Sequence, residues 1–196
     1  ELSVIVGNPP FVGKAFQSEA QKTEIAVIFQ GVKGFGVLDY VACWYRKAAD
    51  VLADNPAIRA AFVSTNSITQ GEQAGVLWPD LFRRGVRIHF AHRTFQWSSE
   101  ARGKAAVHCV IVGFGLEDEL EKWLFDYDTP KSEPHAIRAN NINPYLVDAA
   151  KVVLDNRRSP ISPVPSIVFG SMPNDGGHLL LSPAEKEEFI ARESAA

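Results

Sequence analysis

The stretch Val4-Ile5-Val6-Gly7-Asn8-Pro9-Pro10-Phe11 decides how this chain is interpreted. Its first half is a continuous apolar run, which is typical of a strand in a parallel sheet with both faces covered. Its second half is a turn, because the two prolines fix φ and remove backbone donors. The sequence therefore predicts that a buried strand over residues 2–6 carries residues 8–11 to one edge of a sheet.

Residues 8–11 suit one chemical problem, the alkylation of a planar amino nitrogen. The lone pair of such a nitrogen is delocalised, so two acceptors that bind both amino hydrogens make the nitrogen pyramidal and nucleophilic. The side-chain oxygen of Asn8 and the carbonyl of Pro9 are the candidate acceptors, in a turn shaped by Pro9 and Pro10. Phe11 offers a flat face on which a flipped base can stack. An ordinary strand-to-loop exit is the alternative, since Asn-Pro pairs mark turns wherever they occur.

The composition indicates an ordinary globular domain. The 196 residues are enough for one substantial core, and the hydrophobic and charged fractions, 46% and 22%, are unremarkable for that class. No apolar run approaches the ~18–20 residues of a membrane span. Cys43 and Cys109 have apolar neighbours and are expected to be buried free thiols, which fits a reducing cytoplasm.

The order of periodic segments predicts an α/β fold with a parallel sheet. Strands are expected over residues 2–6, 60–63, 86–91 and 105–114, and helices over residues 19–29, 39–53 and 67–84. Asp39 is expected to cap the second helix, and Gly85 to follow the end of the third. The last two strands have no room for a crossover helix, so an antiparallel hairpin is expected at the sheet edge.

The composition changes after Gly115. Residues 117–134 are acidic, and residues 130–183 hold 8 of the 12 prolines. Ser182 and Glu185 form a capping-box pattern that opens a final helix, which we expect to run to about residue 192. The sequence therefore predicts a catalytic-type domain over residues 1–128 and a connector over residues 129–196.

A basic region with interleaved aromatic residues precedes the last predicted strand. Residues 83–104 contain six Lys or Arg side chains against Glu100 alone. Phosphate contact combined with base stacking needs such a composition. The candidate nucleic-acid-binding residues are Arg93, Arg102, Lys104, Phe95 and Trp97. Asn66 at the end of the second strand is a further candidate, because α/β folds place ligand contacts there.

A metal site and a nucleotide loop are not expected. His89, His92 and His108 have no nearby carboxylate pair, and strand histidines usually pack or hydrogen-bond. The glycine-rich segment 31–36 follows a helix and lacks the glycine order of a nucleotide fingerprint.

The turn at residues 8–11 resembles that of amino-group methyltransferases that use S-adenosylmethionine. Five longer segments are similar to the MmeI-like DNA methyltransferases, the adenine-modifying parts of large single-chain restriction–modification enzymes. These segments are GVLDYV (36–41), FVSTNSITQGEQ (62–73), AHRTFQW (91–97), GKAAVH (103–108) and GSMPNDGG (170–177).

The resemblance implies a partial Rossmann-like methyltransferase sheet that begins at the family's fourth strand. A nuclease, a helical connector and the cofactor-binding half would precede it in the parent polypeptide, and a target-recognition domain would follow. The family's glycine-rich cofactor motif and ribose-binding acidic residue have no match here. We therefore expect this chain to be inactive alone.

The resemblance also implies residue roles. Asn8 and Pro9 would hold the amino group of a flipped adenine in double-stranded DNA and border the cofactor, and Phe11 would stack on the base. An aromatic residue in the loop before the last strand packs on the other face; Phe95 is the first choice and Trp97 the second. Transfer would be a direct displacement, which requires no catalytic cysteine.

Two alternatives remain open at this point. Enzymes that methylate a protein glutamine amide or a guanine amino group in ribosomal RNA share the Asn-Pro-Pro-aromatic turn, but should lack the basic aromatic region and the connector. A non-catalytic DNA-binding fragment is the third interpretation.

Overall fold

The computed structural model describes residues 2–97, 107–154, 162–164 and 180–193. The chain forms two compact units, residues 1–156 and residues 157–196. In the first unit lie α1 (Glu19–Ile28), α2 (Ala42–Asp54) and α3 (Gly71–Arg83), with 3₁₀ turns at Lys14–Phe16, Phe35–Val37 and Asn66–Thr69. The second unit contains α4 (Pro183–Arg192). None of these described helices is long and apolar enough to span a membrane.

A six-stranded mixed sheet forms the centre of the first unit. Its strands are β1 (Val4–Gly7), β2 (Arg59–Thr65), β3 (Arg87–Trp97), β4 (Val107–Gly115), β5 (Lys122–Asp126) and β6 (His135–Ala139). They are arranged in the order β1-β2-β4-β3-β5-β6. The β1–β2 and β3–β5 pairs are parallel, whereas β4 is antiparallel to both β2 and β3, and β6 is antiparallel to β5. The predicted α/β class is confirmed.

The core is an aromatic cluster between the helices and the sheet. The ring of Tyr45 on α2 stacks on Phe114 of β4 at a centroid distance of 5.3 Å and meets Phe62 of β2 edge-on. The Tyr45 hydroxyl hydrogen-bonds the Ser64 hydroxyl at 2.7 Å, and Trp78 Nε1 donates to the carbonyl of Ile68 at 2.8 Å. These contacts fix α2 and α3 against the end of β2, where candidate site residues lie.

The helix predictions are largely correct, with one exception at Asp39. α1 and α4 begin with the capping boxes of Ser18 and Ser182, and Gly85 follows α3 with a φ of 87°. Asp39 does not cap α2, however. The N-cap of α2 is Val41, whose apolar side chain cannot make a cap bond. The Asp39 carboxylate instead accepts hydrogen bonds from Lys14 N and the Ser67 hydroxyl, outside the helix.

The sheet differs from the prediction at both ends. The β3–β4 hairpin is antiparallel as expected, but it is internal, because β5 pairs with β3 and β6 with β5. These two strands have five residues each and mixed polarity, so periodicity does not reveal them. They extend the first unit past residue 128, and the buried Ile142 and Leu146 belong to the same core.

The first strand also departs from the expectation that both its faces are covered. Val4 is 53% exposed and Val6 is 72% exposed. Among the described strands β1 pairs with β2 alone, so it lies at an edge of the described sheet.

Candidate functional site

The predicted acceptor turn leaves β1 at its carboxyl end. Asn8 is exposed, Pro9 is buried, and the carbonyl of Pro10 accepts a hydrogen bond from Val12 N at 3.2 Å. Among the residues that the structure describes, no group hydrogen-bonds the Asn8 side chain or the Pro9 carbonyl. The turn therefore presents two adjacent acceptors, whereas the next carbonyl is used internally.

Phe11 closes the turn on the protein side. It is half-buried and packs against the hydrophobic core. Its ring is therefore held in a fixed place three residues from Asn8, which an aromatic platform for a planar ligand requires.

A cavity of about 900 Å³ lies beside the turn, lined by residues 5–10 and by side chains of α1 and α2. Tyr40 and Trp44 line it and meet edge-on at a centroid distance of 5.2 Å. The Tyr40 hydroxyl hydrogen-bonds the Glu24 carboxylate, and this bond raises the pKa of Tyr40 to about 12. The phenol is therefore neutral at physiological pH, and the wall combines aromatic rings with a carboxylate.

The sheet register brings the candidate residues to one edge. β1, β2, β3 and β5 all run in the same direction, so their carboxyl ends meet there. Across β4, Thr65 pairs with Cys109 and Cys109 pairs with Phe95. Phe95 is thus two strands, about 10 Å, from Thr65. Asn8 follows β1, the next strand beyond β2.

Phe95 and Trp97 lie in β3, not in a loop as predicted. β3 continues to Trp97 because its pairing with β4 continues to Val107, with a register shift between His92 and Phe95. Such an irregularity changes the direction in which the following side chains point. Phe95 stacks on Tyr127 at 5.5 Å and contacts the ring of Trp97 at 6.1 Å. Trp97 itself is 42% exposed.

Tyr127 is a candidate site residue that sequence analysis misses, because it contacts both Phe95 and His92. It follows β5, in a stretch that composition marked only as acidic. Its hydroxyl hydrogen-bonds His92 Nδ1 at 2.8 Å, and the His92 ring stacks on Phe125 at 4.3 Å. Burial lowers the pKa of His92, so the imidazole is neutral at physiological pH. The end of β3 therefore carries a packed, uncharged group of rings, here called the aromatic ladder. It consists of His92, Phe95, Trp97, Phe125 and Tyr127.

Comparison with known proteins identifies this arrangement. The family model of the MmeI DNA-methyltransferase domain matches residues 1–126, and that of the MmeI target recognition domain matches residues 148–196. The chain belongs to the MmeI DNA-methyltransferase family. The resemblance inferred from residues 8–11 and the five longer segments is thereby confirmed.

Two relatives support the assignment. DNA methyltransferase A of Bacillus subtilis (strain 168) is 42% identical over 187 residues, which are 95% of this chain and 20% of that protein. The solved structure of the Type IIL restriction-modification enzyme MmeI in complex with DNA is 52% identical, with a TM-score of 0.91. That match covers 97% of this chain and 25% of the solved one. The chain thus spans a quarter or less of the length of these two relatives.

The predicted phosphate contacts have different environments. Arg93 is half-buried: its Nη1 pairs with Asp126 at 2.5 Å, and its Nε donates to the carbonyl of Leu146 at 2.9 Å. A phosphate would have to compete with both bonds. Arg102 and Lys104 lie outside the described residues, as does segment 170–177.

Asn66 begins the 3₁₀ turn after β2. It lines a second cavity, of about 590 Å³, that also borders the loop following the acceptor turn. This places Asn66 on the same edge of the sheet as the end of β2.

Both cysteines are buried free thiols, as predicted. Burial raises the pKa of Cys43 to about 12 and that of Cys109 to about 11. Both side chains are therefore protonated at physiological pH, and a protonated thiol is a poor nucleophile.

Proposed function

We propose that this chain is the second half of the catalytic domain of an adenine-specific DNA methyltransferase within a larger restriction–modification enzyme. The reaction transfers a methyl group from S-adenosylmethionine to the exocyclic amino group of adenine. The observation that carries the proposal is the pair of acceptors, Asn8 Oδ1 and the Pro9 carbonyl, that have no partner among the described residues.

The residues of the turn and of the aromatic ladder have separate proposed roles. Asn8 and Pro9 accept the two amino hydrogens, which favours a pyramidal nitrogen with a free lone pair. Phe11 stacks on one face of the flipped base, and Phe95 or Trp97 on the other. Transfer would be a direct displacement: the amino nitrogen would bond to the methyl carbon as the carbon–sulfur bond of the sulfonium breaks, a neutral thioether would leave, and the nitrogen would release one proton. No covalent bond to the enzyme would form. The protonated state of Cys43 and Cys109 agrees with such a step.

The cavity beside the turn is the proposed border of the cofactor site, where Asn8 and Pro9 would hold the reacting end of S-adenosylmethionine. When bound, this cofactor supplies an electrophilic methyl group on a sulfonium cation. The rings of Tyr40 and Trp44 and the carboxylate of Glu24 suit an aromatic group and a cation. The rest of the pocket would come from the cofactor-binding half of the parent polypeptide.

The proposed partners are double-stranded DNA with a flipped adenine, and the nuclease and target-recognition parts of the same polypeptide. Arg102 and Lys104 are proposed phosphate contacts, and Asn66 a further contact at the sheet edge. Arg93 is proposed to contact phosphate only when its ion pair with Asp126 opens. The bacterial cytoplasm is the proposed location.

The family match favours DNA over the other amino substrates. Methylation of a protein glutamine or of ribosomal RNA would not require a target recognition domain of the MmeI type, which residues 148–196 match. A non-catalytic, DNA-binding role remains the alternative for this chain in isolation.

Identification of the product tests the proposal. The full-length parent would be incubated with labelled S-adenosylmethionine and DNA, and the nucleosides analysed by mass spectrometry. N6-methyladenine is the expected product. N4-methylcytosine would overturn adenine specificity, and label transferred to ribosomal RNA or protein but not to DNA would overturn the assignment to DNA.

A further inference from the structure

The loop that follows the acceptor turn is fastened to the segment just before α2. Residues 12–17 lead from the turn towards α1, and residues 38–40 lie beside them. Three hydrogen bonds join the two segments: Tyr40 N to the Val12 carbonyl at 2.9 Å, Lys14 N to Asp39 Oδ1 at 3.0 Å, and Gln17 Nε2 to the Leu38 carbonyl at 2.9 Å.

The carboxylate of Asp39 also reaches the end of β2. Its Oδ2 accepts from the Ser67 hydroxyl at 2.7 Å, and Ser67 Oγ lies 2.7 Å from Thr65 Oγ1. The Asp39 backbone N–H donates to Gln73 Oε1 at 3.0 Å. Asp39 is only 8% exposed. One buried side chain therefore bridges the loop behind the acceptor turn and the turn after the neighbouring strand.

Local structure does not account for this arrangement. Asp39 precedes α2, where a carboxylate commonly caps the first turn, yet α2 begins at Val41 without a side-chain cap. The Asp39 side chain makes no cap bond. Both of its carboxylate oxygens instead accept hydrogen bonds from segments distant in the chain. Bonds to a buried carboxylate are strong and directional, so they define the position of both donors.

We infer that Asp39 is a positioning residue for methyl transfer. It holds the loop at Lys14, three residues beyond Phe11, and thereby fixes Phe11 and the two acceptors of the turn relative to the end of β2. The inference rests on the proposed function. Loss of the carboxylate leaves the Lys14 N–H and the Ser67 hydroxyl without their acceptor, so the loop loosens, and small displacements of reacting groups are costly in rate.

The test compares two substitutions in the full-length parent. Asp39→Ala is expected to lower kcat about 10- to 100-fold, with the Kd for DNA within about twofold of the unsubstituted enzyme. Asp39→Asn is expected to restore most of kcat. Its oxygen still accepts from Lys14 N, and its amide donates to Ser67 Oγ, whose hydroxyl turns towards Thr65.

Hydrogen exchange provides a readout that does not depend on catalysis. Peptides that cover residues 12–17 should exchange faster in Asp39→Ala than in Asp39→Asn or in the unsubstituted enzyme. If the unsubstituted parent does not methylate DNA, the proposed function fails, while the exchange result still decides whether Asp39 holds the loop.

Asp80→Asn is the matched control. Asp80 is also a buried carboxylate, but it pairs with Arg46 and Arg84 and does not contact the loop. This substitution should lower Tm without changing kcat or exchange in residues 12–17. The inference is overturned if Asp39→Ala keeps kcat within about twofold, or if Asp80→Asn reproduces its effects at equal loss of Tm.

If Asp39→Ala fails to fold, the Ser67→Ala variant tests the same inference. An unchanged kcat in that variant overturns the inference, and a reduced kcat supports it.

Discussion

The acceptor turn after β1 and the aromatic ladder at the end of β3 lie on the same edge of the sheet, but they differ in how their polar groups are used. At the turn, the Asn8 side chain and the Pro9 carbonyl have no partner among the described residues. In the ladder, His92 is bonded to Tyr127, and beside it Arg93 is paired with Asp126. The first region thus offers two acceptors that a ligand group could bond, whereas these polar groups of the second region are already paired.

The two regions also differ in how far their structure can be predicted from sequence. The turn is determined by neighbouring residues, since two prolines set its backbone. The end of β3 depends on residues far along the chain: His92 bonds a group 35 positions away, and Arg93 bonds groups 33 and 53 positions away. A basic composition alone therefore says little about which cations are free to bind phosphate.

The largest expected effect is at the turn. Asn8→Ala in the full-length parent removes one of the two acceptors and should lower the methylation rate by about 10²–10³. DNA binding should change little, because phosphate contacts supply most of that affinity. A single-turnover assay measures the methylation rate, and a binding titration measures the affinity for DNA. Asn55→Ala, at the end of α2, is the control, and near-normal methylation by Asn8→Ala would remove Asn8 from the mechanism.

The second prediction concerns this chain in isolation. We expect it to bind S-adenosylmethionine weakly or not at all, because the glycine-rich cofactor motif has no match in residues 1–196. Calorimetry on the isolated chain and on the full-length parent measures the difference. Low-micromolar affinity of the isolated chain would show that the cavity beside α1 and α2 is sufficient, contrary to this expectation.

The parts of the fold that sequence predicts are those set by local rules. The capping boxes of Ser18 and Ser182, the Gly85 terminus and the β3–β4 pairing follow from neighbouring residues. The internal place of β4 and the short strands β5 and β6 do not, because strand order depends on pairing between distant segments. For the same reason, sequence predicts a helix cap at Asp39, although the partners of its carboxylate lie 25 and 28 positions away.

The third prediction tests the ladder as a stacking surface. If Phe95 stacks on the flipped base, Phe95→Ala should weaken trapping of that base by about 1–3 kcal/mol. The salt dependence of DNA binding should stay the same, since no charge is lost. Fluorescence of 2-aminopurine at the target position reports base flipping. An unchanged signal in both Phe95→Ala and Trp97→Ala would show that the ladder is purely structural.

The fourth prediction separates free from paired cations. Lys104→Ala and Arg102→Ala should each lower the salt slope of DNA binding by about one, irrespective of DNA sequence. Arg93→Ala should lower that slope by less than one, because its guanidinium is paired with Asp126 and the Leu146 carbonyl. Salt titrations of the three variants decide. A full unit of slope lost in Arg93→Ala would mean that its ion pair opens on DNA.

The smallest expected effect concerns pH. Burial lowers the pKa of His92 and of His89 in the folded chain, so the unfolded state binds more protons than the folded state. Their contribution to the free energy of unfolding is therefore fully present above the unfolded pKa of about 6.5, and it is lost as the pH falls below that value.

Urea unfolding of this chain between pH 8 and pH 5 should show that decline in the free energy of unfolding. Three described carboxylates have a lowered pKa, namely Asp118, Asp148 and Glu185, and their contribution to stability is present throughout this pH range. It is lost only at more acidic pH, because their ordinary pKa is near 4. His92→Gln should flatten the slope between about pH 5 and pH 6.5, because it removes one group whose protonation opposes folding. A slope that persists in His92→Gln and in His89→Gln would mean that both imidazoles are solvated at these pH values, and that the aromatic ladder is looser than its ring contacts indicate.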